Sequence, residues 1–352
     1  MGSRSLNLGL RVVLVVLLVL IFTDVGYIAY FNSFYSEGTA LCFLAIAIGS
    51  SLVLIAQRSS SVLFGIGYFL GIVMVVTSKP QYIPLAPAFA LFGVYLFTFV
   101  RSMWRNWICA GLSAGLCCTA LWYYAETPAT LRVQSAYIEI FMDLLPNSST
   151  PEQDLAAMGL NPDFTAYSGT TPYQPDTPLK DPVFEKEFAA KSGSLKVPLF
   201  YLARPARFYQ LCNRCMKHAF SSRVKRLGYY EASTGKPPRA HPFGLWSVIR
   251  ENLAPRSVFF LGFLLATAIA VVFFVRRCSP TLRCIYLLYV LFALIAEAQF
   301  FVAVLAGGGE PDLEKHLFMF NLAFDVCLIL FVLWVVGRFQ RFRPALVKST
   351  AM

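Results

Sequence analysis

Four polar residues fall inside long apolar runs: Asp24, Glu297, Asn321 and Asp325. An ionisable group in hydrocarbon is costly and normally faces a cavity or a partner. Asp24 is followed by Tyr27, Tyr30, Asn32, Tyr35 and Glu37, and the spacing places Asp24, Tyr27 and Tyr30 near one helix face. Two readings stand for Asp24: a structural cap or pair, or a carboxylate lining an outward-facing cavity. Asn321 and Asp325 are four residues apart and share a face of the last apolar run. Just before them lies the acidic loop Glu310-Pro311-Asp312-Leu313-Glu314-Lys315-His316. Glu297, deeper in its run, is expected to pair with Lys315 or with another helix.

The cations have their own pattern. His218, His241 and His316, Lys79 in the Ser78-Lys79-Pro80-Gln81 turn, and the cluster Arg214, Lys217, Arg223, Lys225 and Arg226 all map to one side of the predicted spans. Such a face suits an anionic head group, a lipid phosphate or pyrophosphate. A solvated helix face, or attraction to ordinary anionic lipids, is the plainer account. Cys212, Cys215 and His218 lie at i, i+3 and i+6. Zinc takes three or four ligands and no second Cys/His pair lies on that side, which leaves a disulfide, a metal site or an ordinary helix face. No P-loop, dinucleotide fingerprint, zinc-protease motif or nucleophile elbow occurs.

These residues must be positioned by a membrane protein. Of the 352 residues, 57% are hydrophobic and 14% charged, against about 25% charged in soluble domains. That excludes a soluble enzyme, a disordered chain and a coiled coil. Eight runs are long enough to span a bilayer: roughly 9–30, 39–57, 61–78, 86–100, 107–124, 257–275, 284–306 and 317–337. Arg4, Arg11, Arg58, Arg101, Arg105, Arg276, Arg277, Arg283, Arg338, Arg341, Arg343 and Lys348 fall at alternate span ends, with no acid among them. This pattern predicts that both termini are cytoplasmic and that 125–256 is extracytoplasmic. The net charge of +11 then needs no nucleic acid.

The expected fold is an all-α polytopic membrane protein with about eight transmembrane helices. One mainly helical and irregular outer domain lies between spans five and six. The divisions are 1–124 (spans one to five), 125–256 (outer domain) and 257–352 (spans six to eight and a cytoplasmic tail). The outer domain carries sixteen basic and twelve acidic residues. Thr150-Pro151-Glu152-Gln153 reads as an N-cap, a proline at N1 and a capping-box Gln, with the helix stopping at Gly159. Further helices are expected over 205–220 and 245–253, and no strand pattern stands out.

Several stretches carry a resemblance. Tyr30-Phe31-Asn32-Ser33-Phe34-Tyr35-Ser36-Glu37, Ser78-Lys79-Pro80-Gln81, Leu227-Gly228-Tyr229-Tyr230-Glu231 through Gly235-Lys236-Pro237-Pro238 to Leu245-Trp246-Ser247, and Glu314-Lys315-His316-Leu317-Phe318-Met319-Phe320-Asn321 with Asp325 together resemble bacterial GT-C class integral-membrane glycosyltransferases of the glycan-biosynthesis hexose transferase family. The likeness extends over nearly the whole chain, as if an N-terminal part of full members were absent. It implies an enzyme that moves a hexose from a polyprenyl-phosphate donor to a glycan or lipid-linked acceptor, at the outer face of the cytoplasmic membrane. Family members place a catalytic acid in the first outer loop. Here that loop is short, with Glu37 in it and Asp24 just before, so Asp24 or Glu37 is the expected base. Lys79, Arg223, Arg226, Lys315 and His316 are the expected phosphate-holding groups, and Tyr229 and Trp246 the expected sugar-stacking rings. A divalent metal is compatible but not demanded. Membrane lipids are the other expected partners. The competing reading is non-catalytic: a transporter of lipid-linked glycans, an accessory subunit or an inactive fragment. A transporter would show broken helices or repeated halves around a midplane site, whereas the unusual polar residues here gather near one face.

Overall fold

A computed structural model describes residues 8–57, 62–100, 102–193, 195–221, 224, 227–236, 243–275, 278–306 and 313–349. Among them the chain is all-helical. In order it forms α1 (Leu8–Phe22), α2 (Val25–Phe31), α3 (Glu37–Gln57), α4 (Val62–Ser78), a 3-10 turn (Pro80–Leu85) running into α5 (Ala86–Phe97), and α6 (Arg105–Ala125). After the intervening segment come α13 (Phe259–Val275), α14 (Pro280–Ala306), the short α15 (Leu313–His316) and α16 (Phe318–Ser349). Five of these helices, the 3-10 turn and α5 counting as one, are long and apolar enough to cross a membrane, and the bent pair α1–α2 makes a sixth. The predicted spans at 61–78 and 257–275 appear as apolar helices of 17 residues each. The spans carry exposed apolar side chains on their outer surface, such as Leu63, Leu70, Leu91 and Phe273, as lipid-facing helices must.

The break between α1 and α2 turns the chain by 60°. Asp24 causes it. Its backbone is extended, and its carboxylate accepts from Gly26 N at 2.8 Å, so it ends one helix and N-caps the next. Where the prediction began the fourth span at 86, helical turns start at Pro80, with Lys79 at their N-cap.

Helices α3 and α4 pack closely along their length because small residues face each other. A Cβ added at Gly71 would lie 2.8 Å from the Phe43 carbonyl oxygen and 3.1 Å from Ala47 Cβ. Without a hydrophobic drive between helices in lipid, such close approach is what holds them.

Between α6 and α13 lie α7 (Ala129–Tyr137), a π-helical turn (Ile138–Leu144), α8 (Pro151–Ala157), α9 (Pro182–Lys191), α10 (Lys196–Leu202), α11 (Pro205–Met216) and α12 (Leu245–Leu253). An aromatic core of Tyr137, Phe141, Phe164, Phe184 and Phe188 holds the first part, with Phe184 and Phe188 stacked at 5.6 Å. The second part packs on the bundle through Phe208 against Phe301 and through Phe220 against Phe260, Phe320 and Phe324. Thr150 stands at the N-cap of α8 but its side chain makes no capping bond, and Gln153 is exposed, so the expected capping box does not form. Ser148 takes its place: its hydroxyl accepts from Thr150 N and donates to Asp154. The helix expected over 205–220 ends at Met216, whereas α12 has the expected bounds.

The close packing yields a test. Gly71→Ala should lower unfolding stability by about 1–3 kcal/mol through overpacking. Gly111→Ala, where an added Cβ meets nothing within 4 Å, should be neutral or mildly stabilising. Thermal unfolding in detergent micelles compares them, and equal midpoints would refute tight α3–α4 packing.

Candidate functional site

Antiparallel neighbours bring the polar residues together. The start of α3, the end of α4, the end of α14 and the start of α16 share one end of the bundle, where the segment between α6 and α13 also docks. Two clusters form there.

The first is buried. Arg250, from α12, donates through Nη1 to Asp325 Oδ2 at 2.9 Å and through Nη2 to Asn321 Oδ1. The Arg250 and Asp325 side chains are 1% and 0% exposed. Tyr27 Oη at 2.5 Å and Trp246 Nε1 at 3.2 Å also donate to Asp325 Oδ2. Asn321 Nδ2 donates to the Ser221 carbonyl at 2.9 Å. Arg250 lies over the rings of Phe220 and Phe324, 5.7 Å from each. Asp325 Oδ1 and Arg250 Nε have no hydrogen-bond partner among the described residues.

Asp24 joins this cluster from the helix break. Its carboxylate accepts from Ser247 N at 2.9 Å and from Ser247 Oγ, while Val25 N donates to the Phe243 carbonyl at 3.1 Å. With Gly26 N, three donors occupy the two oxygens of a group that is 2% exposed. Of the two readings the sequence left open, Asp24 has the geometry of the structural cap.

The second cluster is nearer the surface. Glu37 is 1% exposed and pairs with Lys79 Nζ at 2.8 Å. Tyr30 and Tyr82, both buried, lie close to Glu37, and Tyr82 Oη has no hydrogen-bond partner among the described residues. Beside Lys79, Gln81 Oε1 meets His316 Nδ1 at 2.6 Å, and Gln81 Nε2 donates to the His316 carbonyl at 2.8 Å. Gln299 completes the group: Gln81 Nε2 is 3.3 Å from its Oε1, and Gln299 Nε2 donates to the Gln81 carbonyl at 3.1 Å. Phe318 bridges the two clusters, with its ring 5.9 Å from Tyr27 and 4.8 Å from Tyr30.

The predicted site residues therefore divide. Glu37, Lys79 and His316 converge. Asp24 and Trp246 sit together in the buried cluster, where the indole is 7% exposed and bonded to Asp325, an arrangement for anchoring rather than for stacking on a sugar. Tyr229 is 43% exposed, and no ring contact or hydrogen bond joins it to Trp246 among the described residues. Arg223 and Arg226 lie outside the described residues, as does the Lys315 side chain. Glu297, expected to pair, has Oε1 buried without a partner among the described residues.

Arg250, Gln81 and Gln299 were not foreseen as site residues. A signal for Arg250 existed: in α12, Trp246 and Arg250 are four residues apart and share a face. Gln299 offered only its place two residues beyond Glu297.

Two ion pairs in the segment between α6 and α13 hold its own helices together. Arg207 Nη1 binds Asp154 Oδ1 at 2.6 Å. Burial pushes the Asp154 carboxyl up, but the Arg207 and Ser148 hydrogen bonds prevail and hold it below its ordinary range. On the π-helical turn, burial first and the neighbouring Asp143 second raise Glu139 well above the usual carboxylate range. Cys212 and Cys215 are buried on one face of α11 with no disulfide between them, and burial pushes the Cys212 thiol up to about 12. Among the described residues no three His, Cys, Asp or Glu gather as metal ligands.

Fold and clusters define a polytopic helical membrane protein with a charged, largely buried assembly at one end of its bundle. The chain belongs to the YfdI N-terminal transmembrane domain family, whose model matches residues 4–349. No curated protein and no solved structure matches the chain.

A buried ion pair is costly to break from one side, about 3–5 kcal/mol, while replacing both partners by apolar groups is near neutral. Arg250→Met should therefore destabilise by that amount, and adding Asp325→Leu should restore more than half of it. Urea or thermal unfolding of the single and double variants decides. Purely additive losses would show that the pair does not couple α12 to α16.

Proposed function

We propose that the chain is a membrane glycosyltransferase. It moves a hexose from a polyprenyl-phosphate donor to a glycan or lipid-linked acceptor at the outer face of the cytoplasmic membrane. The observation that carries this reading is the convergence of Glu37, Lys79, Gln81, Gln299 and His316 at one end of the bundle, on the side the positive-inside pattern assigns to the exterior. Membership of the YfdI N-terminal transmembrane domain family and the resemblance of the sequence to GT-C glycosyltransferases support it. In the same reading the bent α1–α2 pair and the two 17-residue apolar helices all cross the bilayer, which gives eight spans and places 125–256 outside.

The chemistry follows from the charges. The acceptor oxygen attacks the anomeric carbon, the bond from that carbon to the lipid phosphate breaks, and the phosphate departs with the electron pair. Lys79 supplies a cation in a partly desolvated position, where it opposes developing negative charge more strongly than it would in water. Glu37 fixes the ammonium at 2.8 Å. Arg223, Arg226 and Lys315, which the sequence pattern puts on the outer side, add to the phosphate site in this reading.

The topology is checked by placing a cysteine at Tyr173, which is 67% exposed, in a variant whose exposed native cysteines are removed. A membrane-impermeant maleimide should label it in spheroplasts. Labelling that requires permeabilisation would put the site on the wrong side for an exterior lipid-linked donor.

Activity is checked with the full chain in lipid nanodiscs, a polyprenyl-phosphate hexose and lipid-linked acceptors. Lys79→Ala should reduce kcat/KM by about 10²-fold or more. If the wild type transfers no hexose from any such donor, the non-catalytic reading, as transporter or accessory subunit, replaces this one.

A further inference from the structure

Proton transfer from the acceptor hydroxyl needs a base. Asp24 has both carboxylate oxygens engaged by three donors, and Glu37 Oε1 holds Lys79. An imidazole stands beside them in a defined state. Backbone carbonyls only accept hydrogen bonds. The His316 carbonyl therefore requires the nitrogen of Gln81 at 2.8 Å, and the Gln81 carbonyl requires the nitrogen of Gln299 at 3.1 Å. Each amide has one orientation. Reversing Gln81 would set its oxygen against the His316 carbonyl and its nitrogen against the ring. In the orientation fixed this way, Gln81 Oε1 faces His316 Nδ1 at 2.6 Å. An amide oxygen carries no hydrogen, so Nδ1 must. In the neutral ring the lone pair is then on Nε2.

The arrangement has the logic of a base oriented by a second group. Gln299 is fully buried, and Gln81 and His316 are half-buried, so the chain of bonds runs outward from the core. A neutral amide fixes the tautomer without the negative charge that would hold the ring as a cation. Among the described residues, the charged and titratable groups on the surrounding elements are Glu314 on the same short helix, Lys79 and Tyr82 flanking Gln81, Glu37 paired with Lys79, Tyr30 and Tyr35, and Glu297 on α14.

We propose that His316 is the general base of hexose transfer, its Nε2 taking the acceptor hydroxyl's proton, and that Gln81 and Gln299 are positioning residues that fix its tautomer. This rests on the glycosyltransferase reading above. As the acceptor O–H proton passes to Nε2, the oxygen bonds to the anomeric carbon and the polyprenyl phosphate leaves with the electron pair of the broken C–O bond. The imidazolium then returns its proton to water.

The experiment has two readouts on the full chain in nanodiscs. The first is nitrogen NMR of protein labelled at its three histidines, with the His316 signals assigned by their loss in His316→Gln. The wild type above its titration should show a protonated Nδ1 and an unprotonated Nε2, and Gln81→Leu should lose that preference. The second is hexose transfer. His316→Gln should slow it by about 10²–10⁴-fold with donor binding retained. Gln81→Glu, whose carboxylate favours the imidazolium, should move the acid limb of the rate profile to higher pH. A ring protonated at Nε2, or transfer unaffected by His316→Gln, overturns the base assignment and leaves the transferase reading standing. Absence of transfer by the wild type overturns both.

Discussion

The ion pair between Arg250 and Asp325 organises this end of the molecule. Two residues 75 positions apart meet with almost no exposure to solvent. Bringing both charges out of water is costly, and their attraction offsets that only in good geometry with further hydrogen bonds. Asn321, Tyr27 and Trp246 supply those bonds. The requirement fixes α12 against α16 and α2 at once. Asp24 and Ser247 then tie α12 to the bend in the first span. Loss of any one partner leaves a buried charge or donor unsatisfied, so the elements are held as a set.

The surface cluster depends on that frame. Phe318 stands at the head of α16, between Tyr27 of the buried network and Tyr30 beside Glu37. His316 precedes it by two residues. Its position is therefore set from below by aromatic packing and from the side by two glutamine amides. A group that handles a proton gains from such support, since small misplacements are expensive in rate.

Much of this was legible in the sequence. Apolar runs marked the helices because a span must satisfy its backbone internally and present hydrocarbon to lipid. The four polar residues in those runs marked the right region, and Asp325, Asn321 and Asp24 all prove to be anchored there. Their roles were less legible. Whether Asp24 faces a cavity or caps a helix depends on Ser247, 223 residues away, and no local pattern announces that partner. Arg250 was hidden by its neighbourhood, since one more arginine in a basic segment reads as surface charge. Gln81 and Gln299 were hidden by being uncharged: a glutamine has no strong cost signal until its two amide ends are seen to be fixed. The capping box failed because Ser148 Oγ takes the Thr150 N–H that the Gln153 side chain would have accepted, a competition settled by geometry rather than by residue type.

Helix α12 is amphipathic in the reverse sense. Its inward face carries Trp246, Ser247 and Arg250, while Leu245, Val248 and Leu253 are exposed. In water that order is unfavourable on both sides. A fragment covering 125–256 alone would leave the arginine and the serine without Asp325 and Asp24 and would present leucines to solvent. The final helix of the segment is therefore tied to the membrane bundle, whose Asp325 and Asp24 hold its arginine and serine.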